Sequence, residues 1–164
     1  MKKEDRPVYP PEAAFEQGMK EAGALLSARP YSTKGLSEKL AGRGFSPETV
    51  EAVTARLIEL GLLDDGAYAE LVARHYAGRG YGPFRVEQEL CRRGLSREDA
   101  RTAARAVEPE EEQILRLLRQ KLKGATDRAS CQKAAAALMR RGYGFDIIRP
   151  AIARLTGESP EDEG

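Results

Sequence analysis

The sequence predicts an all-α chain, a tandem array of three three-helix repeats forming an elongated and curved body. Three observations carry that expectation. A short stretch recurs as Leu40-Ala41-Gly42-Arg43-Gly44-Phe45-Ser46, Leu90-Cys91-Arg92-Arg93-Gly94-Leu95-Ser96 and Leu138-Met139-Arg140-Arg141-Gly142-Tyr143-Gly144, with a period of about fifty residues. Apolar residues recur at helical spacing between these copies. No segment shows the alternation or β-branched enrichment of a strand.

The repeated stretch has the physics of a helix–turn–helix joint. Arg43, Arg93 and Arg141 close a helix whose negative dipole end favours a cation. The following Gly adopts the left-handed conformation that ends a helix at little steric cost. Ser46 and Ser96 are N-caps for the next helix, and Pro47 suits its first position. Gly144 caps less well than Ser.

Residues 1–11 hold three prolines among charges and read as a flexible arm. The first repeat, 12–63, opens with a helix at about 12–28 whose stripe is Phe15, Met19, Ala22, Leu25 and Leu26. Ser32 caps a second helix from Thr33 to Arg43, with Leu36 and Leu40 inward. A third runs from Pro47 to about Leu60, with Val50, Val53, Leu57 and Leu60 inward, and Gly61 stops it.

The second repeat, 64–107, begins at Asp64 or Asp65, either of which can cap. Tyr68, Leu71, Val72 and Tyr76 line its first helix. Val86 and Leu90 line the next, Pro83 to Arg93, and Ala100, Ala103, Ala104 and Val107 the last. That last face is thin and buries little area. The third repeat, 108–156, begins with carboxylates Glu110, Glu111 and Glu112 at a positive helix end. Ile114, Leu117, Leu118 and Leu122 form its first stripe, and Lys123-Gly124 closes the helix. A second helix, about Asp127 to Arg141, directs Leu138 and Met139 inward. The last carries Phe145, Ile148, Ile152 and Leu155 across Pro150, which predicts a kink there, or a start near Arg149. Residues 157–164 read as an acidic disordered tail.

The formal net charge is +1, which argues against a non-specific nucleic-acid coat. Basic residues are unevenly spread: residues 14–63 are balanced, whereas 108–157 carry 10 Lys and Arg against 6 Asp and Glu. Cys91 and Cys131 form no metal-binding pattern with the single His, so no metal or cofactor is expected, and both read as small buried hydrophobes. There is no apolar run for a membrane span and no signal-peptide pattern at the start, so a cytoplasmic protein is expected.

No catalytic constellation stands out. Gly78-Arg79-Gly80-Tyr81-Gly82 is rich in glycine, but no strand precedes it, and it reads as a turn between helices. His75, beside Leu71 and Val72, reads as a half-buried structural histidine. Surface recognition remains. Arg79, Arg85, Arg92 and Arg93 cluster around the middle repeat with Tyr81 among them, and Arg140, Arg141 and Arg149 extend the basic character. Arginine binds carboxylates and phosphates equally well. The alternative for each is an ordinary solvated side chain with internal ion pairs.

In combination, Arg29-Pro30-Tyr31-Ser32, Leu36 and Leu40 before Arg43-Gly44-Phe45, Gly61-Leu62-Leu63-Asp64-Asp65 before Tyr68-Ala69, and Gly80-Tyr81-Gly82-Pro83 resemble the bacterial regulatory RecX family over about residues 14–155. The resemblance implies tandem three-helix repeats and a non-enzymatic monomer. It also implies a RecA filament partner whose extension and activities the protein limits, with DNA repair as the setting. The eight residues Arg79 to Arg149 named above are then the expected contacts to that filament, and weak, salt-sensitive binding to single- and double-stranded DNA is expected beside them. A helix–turn–helix DNA-binding regulator and a general helical-repeat adaptor are the alternatives.

Overall fold

A computed structural model describes residues 10–157; the expected arm (apart from its last two residues) and the acidic tail beyond Gly157 lie outside the described residues. Among the described residues there are nine helices and no strand. The first repeat supplies α1 (Pro11–Ala28), α2 (Thr33–Gly42) and α3 (Pro47–Glu59). The second supplies α4 (Asp65–Gly78), α5 (Pro83–Arg92) and α6 (Arg97–Ala106), and the third α7 (Glu111–Leu122), α8 (Arg128–Arg140) and α9 (Phe145–Thr156).

Local chemistry accounts for most helix ends. Ser32, Ser46, Ser96 and Asp127 each accept a hydrogen bond from the backbone N–H three residues on. Asp64 Oδ1 does the same for Ala67 N, so Asp64 caps α4. The neighbouring carboxylate serves a different helix, since Asp65 Oδ1 accepts from Thr33 N at 2.7 Å and satisfies a donor at the start of α2. Gly144 precedes α9 with no side-chain cap, as its lack of a hydroxyl requires. The three registered glycines, Gly44, Gly94 and Gly142, have φ of 95°, 97° and 94°. In the first and third copies the chain reverses with Phe45 N donating to Leu40 O and Tyr143 N to Leu138 O. Pro150 does not begin α9, which passes through it; the proline lies on the exposed side, where one absent backbone bond is tolerated.

Contacts gather into two compact bodies: the chain up to Ala69 together with Arg92–Leu95, and Glu70–Cys91 together with the chain from Ser96. In the first, Ala22, Tyr31, Leu36, Leu40, Val50, Val53, Leu57 and Leu63 form the core. Gly18 lets α1 approach α3, since a Cβ there would lie 2.9 Å from Val53 Cγ2. In the second, α7–α9 bury Ile114, Leu115, Leu118, Leu138, Tyr143 and Ile148. Val72, Ala73, Val86, Leu90, Ala100 and Ala104 are also buried there. The alanine-based contribution of α6 is thin, as its sequence predicts.

Several side chains expected inside are exposed: Leu60, Leu71, Met139 and Phe145. Leu60 is the C-cap of α3, and the reversal at Gly61 brings in Leu63 instead. Leu71 lies a full 100° step from Val72 around α4, whose buried arc runs through Ala69, Val72 and Ala73. Met139 and Phe145 flank the reversal at Gly142, which buries Leu138 and Tyr143. The two thiols are half-buried rather than buried. His75 is exposed, not half-buried, with its ring edge-on to Tyr76 at 5.7 Å.

Candidate functional site

In the second body, the loop between α4 and α5 meets the reversal between α8 and α9. Gly82 N donates to Arg141 O at 2.8 Å and Phe84 N to Gly142 O at 3.1 Å. A Cβ at Gly82 would lie 2.3 Å from the Gly142 carbonyl and Tyr143 N, so only glycine permits this backbone-to-backbone approach. Arg141 then folds over the loop. Its Nε donates to Gly80 O at 2.8 Å and its Nη2 to Arg79 O at 3.1 Å, with the guanidinium 5.0 Å from the Tyr81 ring centre. Arg85 approaches the same ring at 5.9 Å. Beneath lies Tyr143, whose burial pushes its hydroxyl pKa up despite the Arg141 charge.

These contacts sort the arginines expected at a partner surface. Arg141 and Tyr81 are half-buried and joined to one another and to the loop. Arg79, Arg85, Arg140 and Arg149 expose their side chains. Phe84, 56% exposed, lies against Gly144, and Phe145, also 56% exposed, follows that glycine. The glycine-rich loop is a turn between helices, and its Gly82 N–H serves Arg141 rather than a phosphate.

Arg92 and Arg93 belong to the first body, in company the sequence did not single out. There the loop between α1 and α2 meets the reversal after α5. Ser32 Oγ donates to Arg93 O at 3.0 Å, and the Lys34 stem lies over Gly94, where a Cβ would come within 2.3 Å of Lys34 Cδ. Arg93 Nη1 donates to the Tyr68 hydroxyl at 2.8 Å. The Arg29 guanidinium lies 4.2 Å above the Tyr31 ring. Together Arg29, Lys34, Lys39, Arg92 and Arg93 line an open groove that contains one carboxylate, Glu38. Balanced charge over residues 14–63 hid Arg29, Lys34 and Lys39 from composition. Their spacing about Pro30-Tyr31-Ser32, beside a helix start, was the available signal.

No group of three or more possible metal ligands occurs among the described residues. No helix among the described residues is long and apolar enough to cross a membrane. Residues 22–57 match the first three-helix domain of RecX, residues 64–103 the second and residues 109–152 the third. The regulatory protein RecX of Stenotrophomonas maltophilia (strain R551-3) is 38% identical over 141 residues, covering 84% of each chain. The chain belongs to the RecX family. A RecX-family protein of Xanthomonas axonopodis pv. citri (strain 306) is likewise 38% identical, over 130 residues, covering 77% of this chain and 80% of its own. The crystal structure of RecX from Lactobacillus salivarius superimposes with a TM-score of 0.82 at 23% identity, covering 88% of this chain and 97% of that one. At that identity it speaks for the RecX fold alone.

Proposed function

We propose that this RecX-family chain is a non-enzymatic regulator that binds the RecA–DNA filament and blocks its extension, so limiting RecA's recombinase, ATPase and coprotease activities during DNA repair. One observation carries the reading: all three three-helix domains of RecX are matched in order along the chain, and relatives named regulatory protein RecX align over most of their length. The protein acts as a cytoplasmic monomer whose three repeats, 12–63, 64–107 and 108–156, engage successive protomers. Binding through linked modules gains from high effective concentration.

Arg79, Arg85, Arg140 and Arg149 supply exposed cations, and Phe84 and Phe145 supply exposed aromatic surface of the kind that anchors protein interfaces. Arg92 and Arg93 belong to the cationic groove, and Arg141 and Tyr81 support this face from within. The test is RecA's DNA-dependent ATPase titrated with the purified protein. Suppression at substoichiometric ratios is expected, because a few bound molecules block filament growth. Unchanged ATPase and filament length at excess protein would remove the reading.

A further inference from the structure

We propose that Phe84, seconded by Phe145, anchors a protein partner, its ring filling an apolar pocket bordered by charges of both signs. On the function proposed above, that pocket belongs to a RecA protomer. Phe84 is exposed yet held in place. Its backbone N–H donates to Gly142 O at 3.1 Å, so the joint in the second body fixes the backbone from which the ring projects. The ring lies against Gly144, where a Cβ would come within 3.3 Å of Phe84 Cε2 and would run into the Asp146 carboxylate. More than half of Phe84 nonetheless stays open to solvent, as does more than half of Phe145. An aromatic side chain ordered in advance loses little entropy on binding, which favours a hot spot.

The corresponding positions of the other repeats carry no exposed aromatic. Phe84 stands where the first repeat has Lys34, and Phe145 opens α9 where Pro47 opens α3 and Arg97 opens α6. Gly144 stands where Ser46 and Ser96 cap, so the third copy forgoes a side-chain cap at the point where Phe84 is seated. Departures from a local rule gather at functional sites. Charge then separates a protein partner from a nucleic acid. Asp146 shares the seat of the ring, and its carboxylate repels a strand that carries a negative charge at every nucleotide. A protein surface can set a cation against Asp146 and a carboxylate against Arg85 or Arg140, both of which are exposed.

The experiment measures binding of the full chain to RecA filaments on single-stranded DNA by co-sedimentation, with inhibition of the DNA-dependent ATPase in parallel. Binding to the same strand without RecA is the third readout. Phe84→Ala and Phe84→Lys, the latter importing the residue of the first repeat, should each raise the concentration for half-inhibition by about thirtyfold or more, with helical content intact. Phe145→Ala should do so to a smaller degree. Leu71→Ala, which trims another exposed apolar side chain of the same body, should change nothing. None of these variants should lose affinity for the bare strand. Wild-type inhibition by Phe84→Ala overturns the proposal. Stronger inhibition by Phe84→Lys, or weaker binding of Phe84→Ala to the bare strand, would make the face a nucleic-acid contact and overturns it as well. A wild-type chain that leaves RecA unbound removes the proposed function and this proposal with it, whereas wild-type binding that Phe84→Ala retains removes this proposal alone.

Discussion

At the joint of the first body a side chain reaches across: Ser32 Oγ donates to the Arg93 carbonyl. At the corresponding place in the second body the backbone does so, Gly82 N donating to the Arg141 carbonyl. Ser32 and Gly82 occupy the same position in their repeats, fifty residues apart. The substitution of glycine for serine changes the character of the joint. With no Cβ in the way, the second joint closes backbone on backbone, and Arg141 folds onto the Gly80 and Arg79 carbonyls. With a serine, the first joint is bridged by the Ser32 hydroxyl, and its arginines and lysines line a groove instead. One register thus yields a sealed joint and an open one.

Equilibrium unfolding in urea can break this comparison. The largest effect is expected for Gly142→Ala, whose Cβ would sit 2.4 Å from Arg85 N at a φ of 94°. Because backbone cannot move aside as a side chain can, a loss of about 3–5 kcal/mol is expected. Gly94→Ala, at a similar φ, meets first the Lys34 side chain, from Cδ at 2.3 Å in to Cβ at 2.7 Å, and a smaller loss of about 2–3 kcal/mol is expected. Equal losses at the two sites would mean the joints are not different in kind.

Next in size is the arginine pair. Arg141→Met leaves the Gly80 and Arg79 carbonyls without their guanidinium donor, and about 1–3 kcal/mol should be lost. Arg93→Met removes, with its other contacts, the bond to the Tyr68 hydroxyl, and about 0.5–1.5 kcal/mol is expected from that bond. The serines sharpen the same point. Ser32→Ala loses both the cap to Gly35 N and the long-range bond to Arg93 O, so about 2 kcal/mol is expected, against about 1 kcal/mol for Ser46→Ala, whose cap and second bond both go to exposed Thr49.

The smallest effect concerns pH. Hydrogen bonds from the Ser130 side chain and then its backbone N–H hold the Asp127 carboxyl below its ordinary 3.8. A depressed acid contributes stability above the unfolded pKa and loses it as pH falls through the folded value. Asp127→Asn should leave the melting temperature at pH 7 nearly unchanged, because Asn caps as well, and should flatten its decline below pH 4. An unchanged decline in the Asn variant would assign the acid sensitivity elsewhere.

Features governed by neighbours within a few residues were legible in the sequence: the Arg-Gly reversals, the Ser and Asp caps, the thin alanine face of α6, and the family resemblance. Arg79, Arg85, Arg140 and Arg149 stand exposed. Arg141 was not readable in this way. The carbonyls it binds lie 61 and 62 residues away, and nothing beside Arg141 distinguishes it from Arg43, which instead pairs with Glu21 at 3.1 Å.

The sequence by itself determined a helical chain in three registered repeats, because periodicity, capping and glycine conformation act locally. Only the tertiary structure decided which registered arginine turns inward and where cations from distant stretches converge. Those outcomes depend on whether a Cβ stands between two backbones that meet only after the repeats have packed.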